Sequence, residues 1–105
     1  MKKSYLMELY IDGKSIEDYP QLVYLIISAK FNAWATKMIF TVDVGNEFNS
    51  KRTITNSAGK QVNLKSEGDL LNYLFACGYE YVNNYPMTKS TGEKLNKFIF
   101  KRIEG

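Results

Sequence analysis

Pro20-Gln21-Leu22-Val23-Tyr24-Leu25-Ile26-Ile27-Ser28-Ala29-Lys30-Phe31-Asn32 is the stretch whose reading decides the fold. Leu22, Leu25, Ile26 and Ala29 recur at the spacing of one helical face, and Pro20 suits a first helical turn, where a missing N–H costs nothing. Glu17 and Asp18 just ahead of it suit the positive end of a helix dipole. The pattern predicts a helix running to about Asn32. Val23, Ile27 and Phe31 continue the apolar surface around the cylinder, so this helix is greasier than a surface helix requires. It is expected to be deeply buried or to form an interface, with Ile27, Phe31 and the nearby Trp34 as the interface candidates.

Working outward, both flanks read as strands. Tyr5, Met7, Leu9 and Ile11 alternate with Leu6, Glu8, Tyr10 and Asp12 before Asp12-Gly13 ends the run, and Met38, Phe40, Val42 and Val44 alternate with Ile39, Thr41 and Asp43. Residues 51–55 and 60–64 flank Asn56-Ser57-Ala58-Gly59 as a short hairpin. Ser66 with Asp69 three residues on resembles a capping box and opens a second helix, with Leu70, Leu71, Leu74 and Phe75 on its core face. Gly78 stops that helix after Cys77. Tyr79 to Tyr85 and Leu95 to Ile103 then form a C-terminal hairpin, joined through Pro86 and the polar stretch from Thr88 to Lys94. The expected fold class is α+β, a single domain over residues 1–105: two helices packed on one face of a largely antiparallel sheet, in a ferredoxin-like arrangement with an added strand.

Composition fits a chain that folds unaided. Apolar residues make up 45% and charged residues 24% of 105, ordinary globular usage that argues against disorder and against any need for a cofactor. The net charge of +3 is unevenly placed: five lysines face six acids in residues 1–50, whereas nine basic residues face five acids in residues 51–105. The single cysteine, Cys77, has no internal disulfide partner, so a reducing cytoplasm is the expected location. The apolar stretch after Met1-Lys2-Lys3 is broken by Glu8 and Asp12 and reads as a strand rather than a signal peptide. The run from Leu22 to Ala29 is far short of the roughly 20 residues that cross a bilayer.

Histidine is absent, which removes the usual general base, the commonest metal ligand and the usual partner of a nucleophilic serine or cysteine. Cys77 falls at a helix C-terminus, where the dipole disfavours a thiolate, and reads as an inert core residue. The carboxylates are scattered, and Glu17, Asp18, Glu67 and Asp69 are accounted for by helix starts. Asp12 and Asp43 are the one pair that adjacent strands would bring to a cation, yet no calcium, zinc, phosphate or dinucleotide motif is present. The expectation is a protein that is not an enzyme and carries neither metal nor cofactor.

One pattern speaks for binding. Tyr79, Tyr81 and Tyr85 alternate along one strand, and Lys97, Lys101 and Arg102 decorate the next beside Phe98 and Phe100. Rings that stack on bases and lysines that neutralise phosphates suit single-stranded nucleic acid. The same residues serve a half-buried strand and an edge protected by lysines.

Leu70-Leu71-Asn72-Tyr73-Leu74, Gly78-Tyr79-Glu80-Tyr81-Val82 and Phe98-Ile99-Phe100-Lys101-Arg102 together resemble a small bacterial family of unknown function, in which a leucine-rich helix ends in glycine and an aromatic-Glu-aromatic-Val strand leads into a hairpin ending Phe-Lys-Arg. The likeness spans residues 70–102; the family usually has tryptophan where this chain has Tyr79. It implies a helix-plus-hairpin fold and a bacterial origin, and no reaction. The function expected from the sequence is a non-enzymatic binding or assembly module acting as a homodimer. Weak single-stranded nucleic-acid binding through the C-terminal hairpin is the alternative, and a small-molecule pocket built on carboxylates the third.

Overall fold

A computed structural model describes residues 7–19, 23–32, 37–43 and 52–103. Among them are one α-helix, seven strands and a short 3-10 turn. Strands β1 (Tyr10–Ile11), β2 (Lys14–Ser15) and β5 (Ile54–Thr55) form a small sheet in the order β2-β1-β5. Strands β3 (Tyr24–Asn32), β4 (Lys37–Asp43), β6 (Tyr79–Thr88) and β7 (Lys94–Arg102) form the larger one, ordered β4-β3-β7-β6 and antiparallel throughout. Helix α1 (Glu67–Ala76) packs against β6. The fold is therefore mostly β, and two helices on a sheet in a ferredoxin-like arrangement is overturned.

The decisive stretch is a strand. Leu25, Ile27 and Ala29 are buried while Tyr24, Ile26, Ser28 and Lys30 alternate with them on the opposite face. An apolar run satisfies both periods: Leu25, Ile26 and Ala29 read as helix, Leu25, Ile27 and Ala29 as strand. Tertiary position breaks the tie, because β3 is an inner strand bonded to β4 on one side and β7 on the other, where β-branched Ile26 and Ile27 and aromatic Tyr24 fit the pleat. Pro20 and Leu22, the proposed helix start, lie outside the described residues. Glu17 and Asp18 instead belong to the 3-10 turn Ile16–Asp18, whose N-cap Ser15 accepts from the Glu17 N–H at 3.2 Å.

The remaining elements follow local chemistry. Asp12 (φ +52°) and Gly13 (φ +81°) form the two-residue turn joining β1 to β2, the Asp-Gly hairpin link. The Asp12 carboxylate accepts from the Thr53 N–H at 3.0 Å and pairs with Arg52 at 3.3 Å, tying this hairpin to the approach to β5. The short hairpin closes around Asn56: Asn56 Oδ1 accepts from the Ala58 and Lys60 N–H groups at 2.9 Å, the Asn56 N–H donates to the Lys60 carbonyl at 2.8 Å and the Val62 N–H to the Ile54 carbonyl at 3.0 Å, and Thr55 bridges Gln61. On its other side β5 pairs with β1. In α1, Ser66 Oγ accepts from the Asp69 N–H at 3.1 Å, while the Asp69 carboxylate accepts from the Lys65 N–H at 3.0 Å. Gly78 (φ +91°) ends the helix, with its N–H donating to the Phe75 carbonyl at 3.0 Å.

One core joins both sheets and the helix. Leu9, Ile11 and Ile54 from the small sheet side meet Leu25, Ile27, Phe40, Val42, Phe98 and Phe100 of the large sheet, with Leu70, Leu74, Cys77 and Tyr79 closing the helix end. The other face of the large sheet carries the alternate residues.

Candidate functional site

Cross-strand register defines that other face. Tyr24, Lys101 and Glu80 form one row across β3, β7 and β6. Asp43, Ile26, Ile99 and Asn83 form the next, and Thr41, Ser28, Lys97 and Tyr85 the one beyond. Tyr24 is 54% and Tyr85 40% exposed. No described helix or strand packs on this face, and the helix spends its apolar side on the opposite one. Each exposed ring thus stands directly across from a lysine, Tyr24 from Lys101 and Tyr85 from Lys97, a spacing of roughly 5 Å between Cβ atoms.

A bulge sorts the tyrosines. The β6–β7 register shifts between Tyr81 and Asn83, so Tyr81 lies opposite Phe100 on the core side whereas Tyr85 lies opposite Lys97 on the open side. The Tyr81 ring packs edge-on against Phe100 with centroids 6.5 Å apart and tilts against Phe98 at 6.3 Å, and its hydroxyl donates to Asn84. Tyr79 is buried, and its hydroxyl accepts from Arg102 Nε at 3.2 Å and Nη2 at 3.0 Å. Burial pushes the Tyr79 phenol up, partly offset by Arg102. Of the residues proposed as a binding surface, the structure brings together Tyr85, Lys97 and Lys101, leaves Tyr81 at the rim, and places Tyr79 and Arg102 as a structural pair. Tyr24 joins the surface. Reading residues 20–32 as a helix hid it, although the alternation Tyr24, Ile26, Ser28, Lys30 was the signal that could have found it.

Of the proposed interface residues, the side chain of Ile27 is described. Ile27 has no exposed surface and faces the core, so no apolar excess remains at that position for a partner. Trp34 lies outside the described residues, as does the Phe31 side chain.

Burial raises the Cys77 thiol to about 12, against a smaller lowering by its hydrogen bond with Tyr73, and the thiol is held protonated at neutral pH. Asp12 turns the β1–β2 hairpin and pairs with Arg52, and Asp43 ends β4. Among the described residues no group of three or more histidines, cysteines or acids stands close enough to hold a metal ion, and no helix is long and apolar enough to cross a membrane.

No protein-family model, no curated protein and no solved structure matches this chain. The helix, glycine stop and hairpin expected in the C-terminal third are present as α1, Gly78, β6 and β7.

Proposed function

We propose that the protein is a non-enzymatic binding module whose working surface is the open face of the four-stranded sheet, and that single-stranded nucleic acid is the ligand this surface takes. The observation that carries the reading is the pairing of Tyr85 with Lys97 and of Tyr24 with Lys101 on a face that no described helix or strand covers, with both rings exposed. A ring beside a cation offers a stacking platform and a phosphate contact at one step, and the basic excess of residues 51–105 adds a favourable field. Fluorescence anisotropy with a labelled single-stranded oligonucleotide tests it. Binding is expected to weaken with added salt through counterion release, and Lys97→Glu and Tyr85→Ala are each expected to lower affinity by about tenfold or more. Absence of binding at low salt, or affinity unchanged in both variants, removes the reading.

Homodimerisation is the second reading, and a different observation favours it: Tyr81, Val82 and Met87 are each more than 40% exposed along β6. A two-fold contact between copies would cover them. Sedimentation at micromolar concentration decides, since a single species near 12.1 kDa excludes the dimer. The buried free thiol supports a reducing, cytoplasmic setting for either reading.

A further inference from the structure

The outer edge of β4 opens onto a cleft of about 630 Å³, walled on its far side by residues 61–65. Hydrogen-bond parity shows which backbone groups face that cleft. The Arg102 N–H donates to the Val23 carbonyl at 2.8 Å, so residues 23, 25, 27 and 29 direct their amides toward β7 and residues 24, 26, 28 and 30 toward β4. On β4 the residues bonded to β3 are then Ile39, Thr41 and Asp43, while Met38, Phe40 and Val42 point their N–H and C=O groups away from the sheet. Val42 confirms the direction, since its N–H donates outward to the Arg52 carbonyl at 2.8 Å. Beyond Arg52 the chain leaves β4: Thr53 turns its carbonyl to Asp12, and β5 joins β1. Among the described residues no backbone group pairs with the outward-facing N–H and C=O groups of Met38 and Phe40, and both residues line the cleft.

We propose that this cleft is a strand-addition site that accepts an extended segment of a partner polypeptide, hydrogen-bonded to Met38 and Phe40 and continuing the sheet beyond β4. Only an extended main chain supplies donors and acceptors alternating at the spacing of the ladder. The side chains lining the cleft complement such a segment: Val62 and Leu64 offer apolar wall for alternate residues, and Asn63 can bond the backbone of the incoming strand. Lys65 is the charged side chain at the cleft among the described residues, so an acidic residue at that end of the segment is preferred. A second copy of the chain does not fit as a sheet edge, because its own β4 carries the same 61–65 wall. The opposite edge of the sheet shows the contrast. By the same parity Pro86 of β6 points outward, where it has no N–H to offer, and the bulge at Tyr81/Asn83 disturbs the rest.

This site is independent of nucleic-acid binding on the open face, and amide hydrogen exchange tests it separately. The probe is a short blocked peptide of alternating valine and threonine ending in glutamate, at about 1 mM, which fills about nine-tenths of a site whose Kd is about 0.1 mM. In the free protein the Phe40 amide is expected to exchange faster than those of Ile39 and Thr41. The peptide is expected to slow exchange at Met38 and Phe40 by about tenfold or more, equally in wild type and in Lys97→Glu. The same peptide N-methylated at alternate amides is expected to do nothing. The proposal is overturned by a Phe40 amide already as protected as Thr41 without peptide, by no slowing with peptide, by equal slowing with the N-methylated peptide, or by an effect abolished by Lys97→Glu. Protection that rises with protein concentration alone would assign the edge to a second copy and equally overturn it.

Discussion

β3 and β6 are strands of nine and ten residues in one antiparallel sheet, yet they are built on opposite terms. β3 lies inside the sheet with Leu25 and Ile27 fully buried, whereas β6 lies at the edge and buries only Tyr79. Both carry aromatic and β-branched residues, so composition does not separate them. Neighbours do: an inner strand has bonding partners on both sides and the core under one face, while an edge strand leaves half its backbone and most of its side chains to solvent or to a partner. The difference teaches that burial is concentrated in β3 and exposed surface in the edge strand β6.

Replacing Ile27 tests the largest expected difference. Ile27→Ala is expected to cost about 2–5 kcal/mol by loss of buried contacts and formation of a cavity, while Val82→Thr at the exposed bulge of β6 stays within about 0.5 kcal/mol. Urea titration measures both, and equal losses would break the comparison.

Alkaline pH probes the one buried end of β6, where Cys77 and Tyr79 meet α1. The folded-state Cys77 thiol is raised from 9.0 to about 12 by burial. A raised pKa favours the protonated form in the folded state, so its stabilisation is fully present below about 9 and is lost as pH climbs through about 12. Tyr73 and Tyr79, also raised by burial, act in the same direction. Unfolding free energy is therefore expected to decline above pH 9 in wild type and less steeply in Cys77→Ala; parallel slopes would show that the thiol is not linked to folding.

A smaller effect is expected where the helix enters β6. Gly78 holds φ at +91°, a conformation that costs an L-residue about 1 kcal/mol or more. Gly78→Ala is expected to lower stability by that amount, and a thermal shift of zero would mean the turn relaxes without strain.

Legibility in the sequence followed how local each signal was. Ser66 and Gly78 mark the two ends of α1 through bonds made within a few residues, and the C-terminal hairpin was visible because its strands alternate and a polar turn joins them. The Asp12-Gly13 turn was recognised as a strand end but not as a hairpin, since its second strand is only Lys14–Ser15. Of the proposed binding surface, Tyr85, Lys97 and Lys101 are legible in the sequence, but the alternation of β6 puts Tyr79 and Tyr81 on the same face as Tyr85. The bulge that separates them depends on pairing with β7 and leaves no mark in the alternation of β6 itself.

By itself the sequence determined the elements whose hydrogen bonds close nearby: the capped helix, its glycine stop, the Asn56 turn and the pairing of β6 with β7. Only the tertiary structure decided that Tyr24 to Asn32 is a strand, that Tyr24 and Lys97 share a face, and that the β4 edge opens onto a cleft. An apolar run carries the same hydrophobic energy in a helix or an inner strand, and which backbone it adopts is settled by whether distant segments, here β4 and β7, are present on both sides to take up its amides.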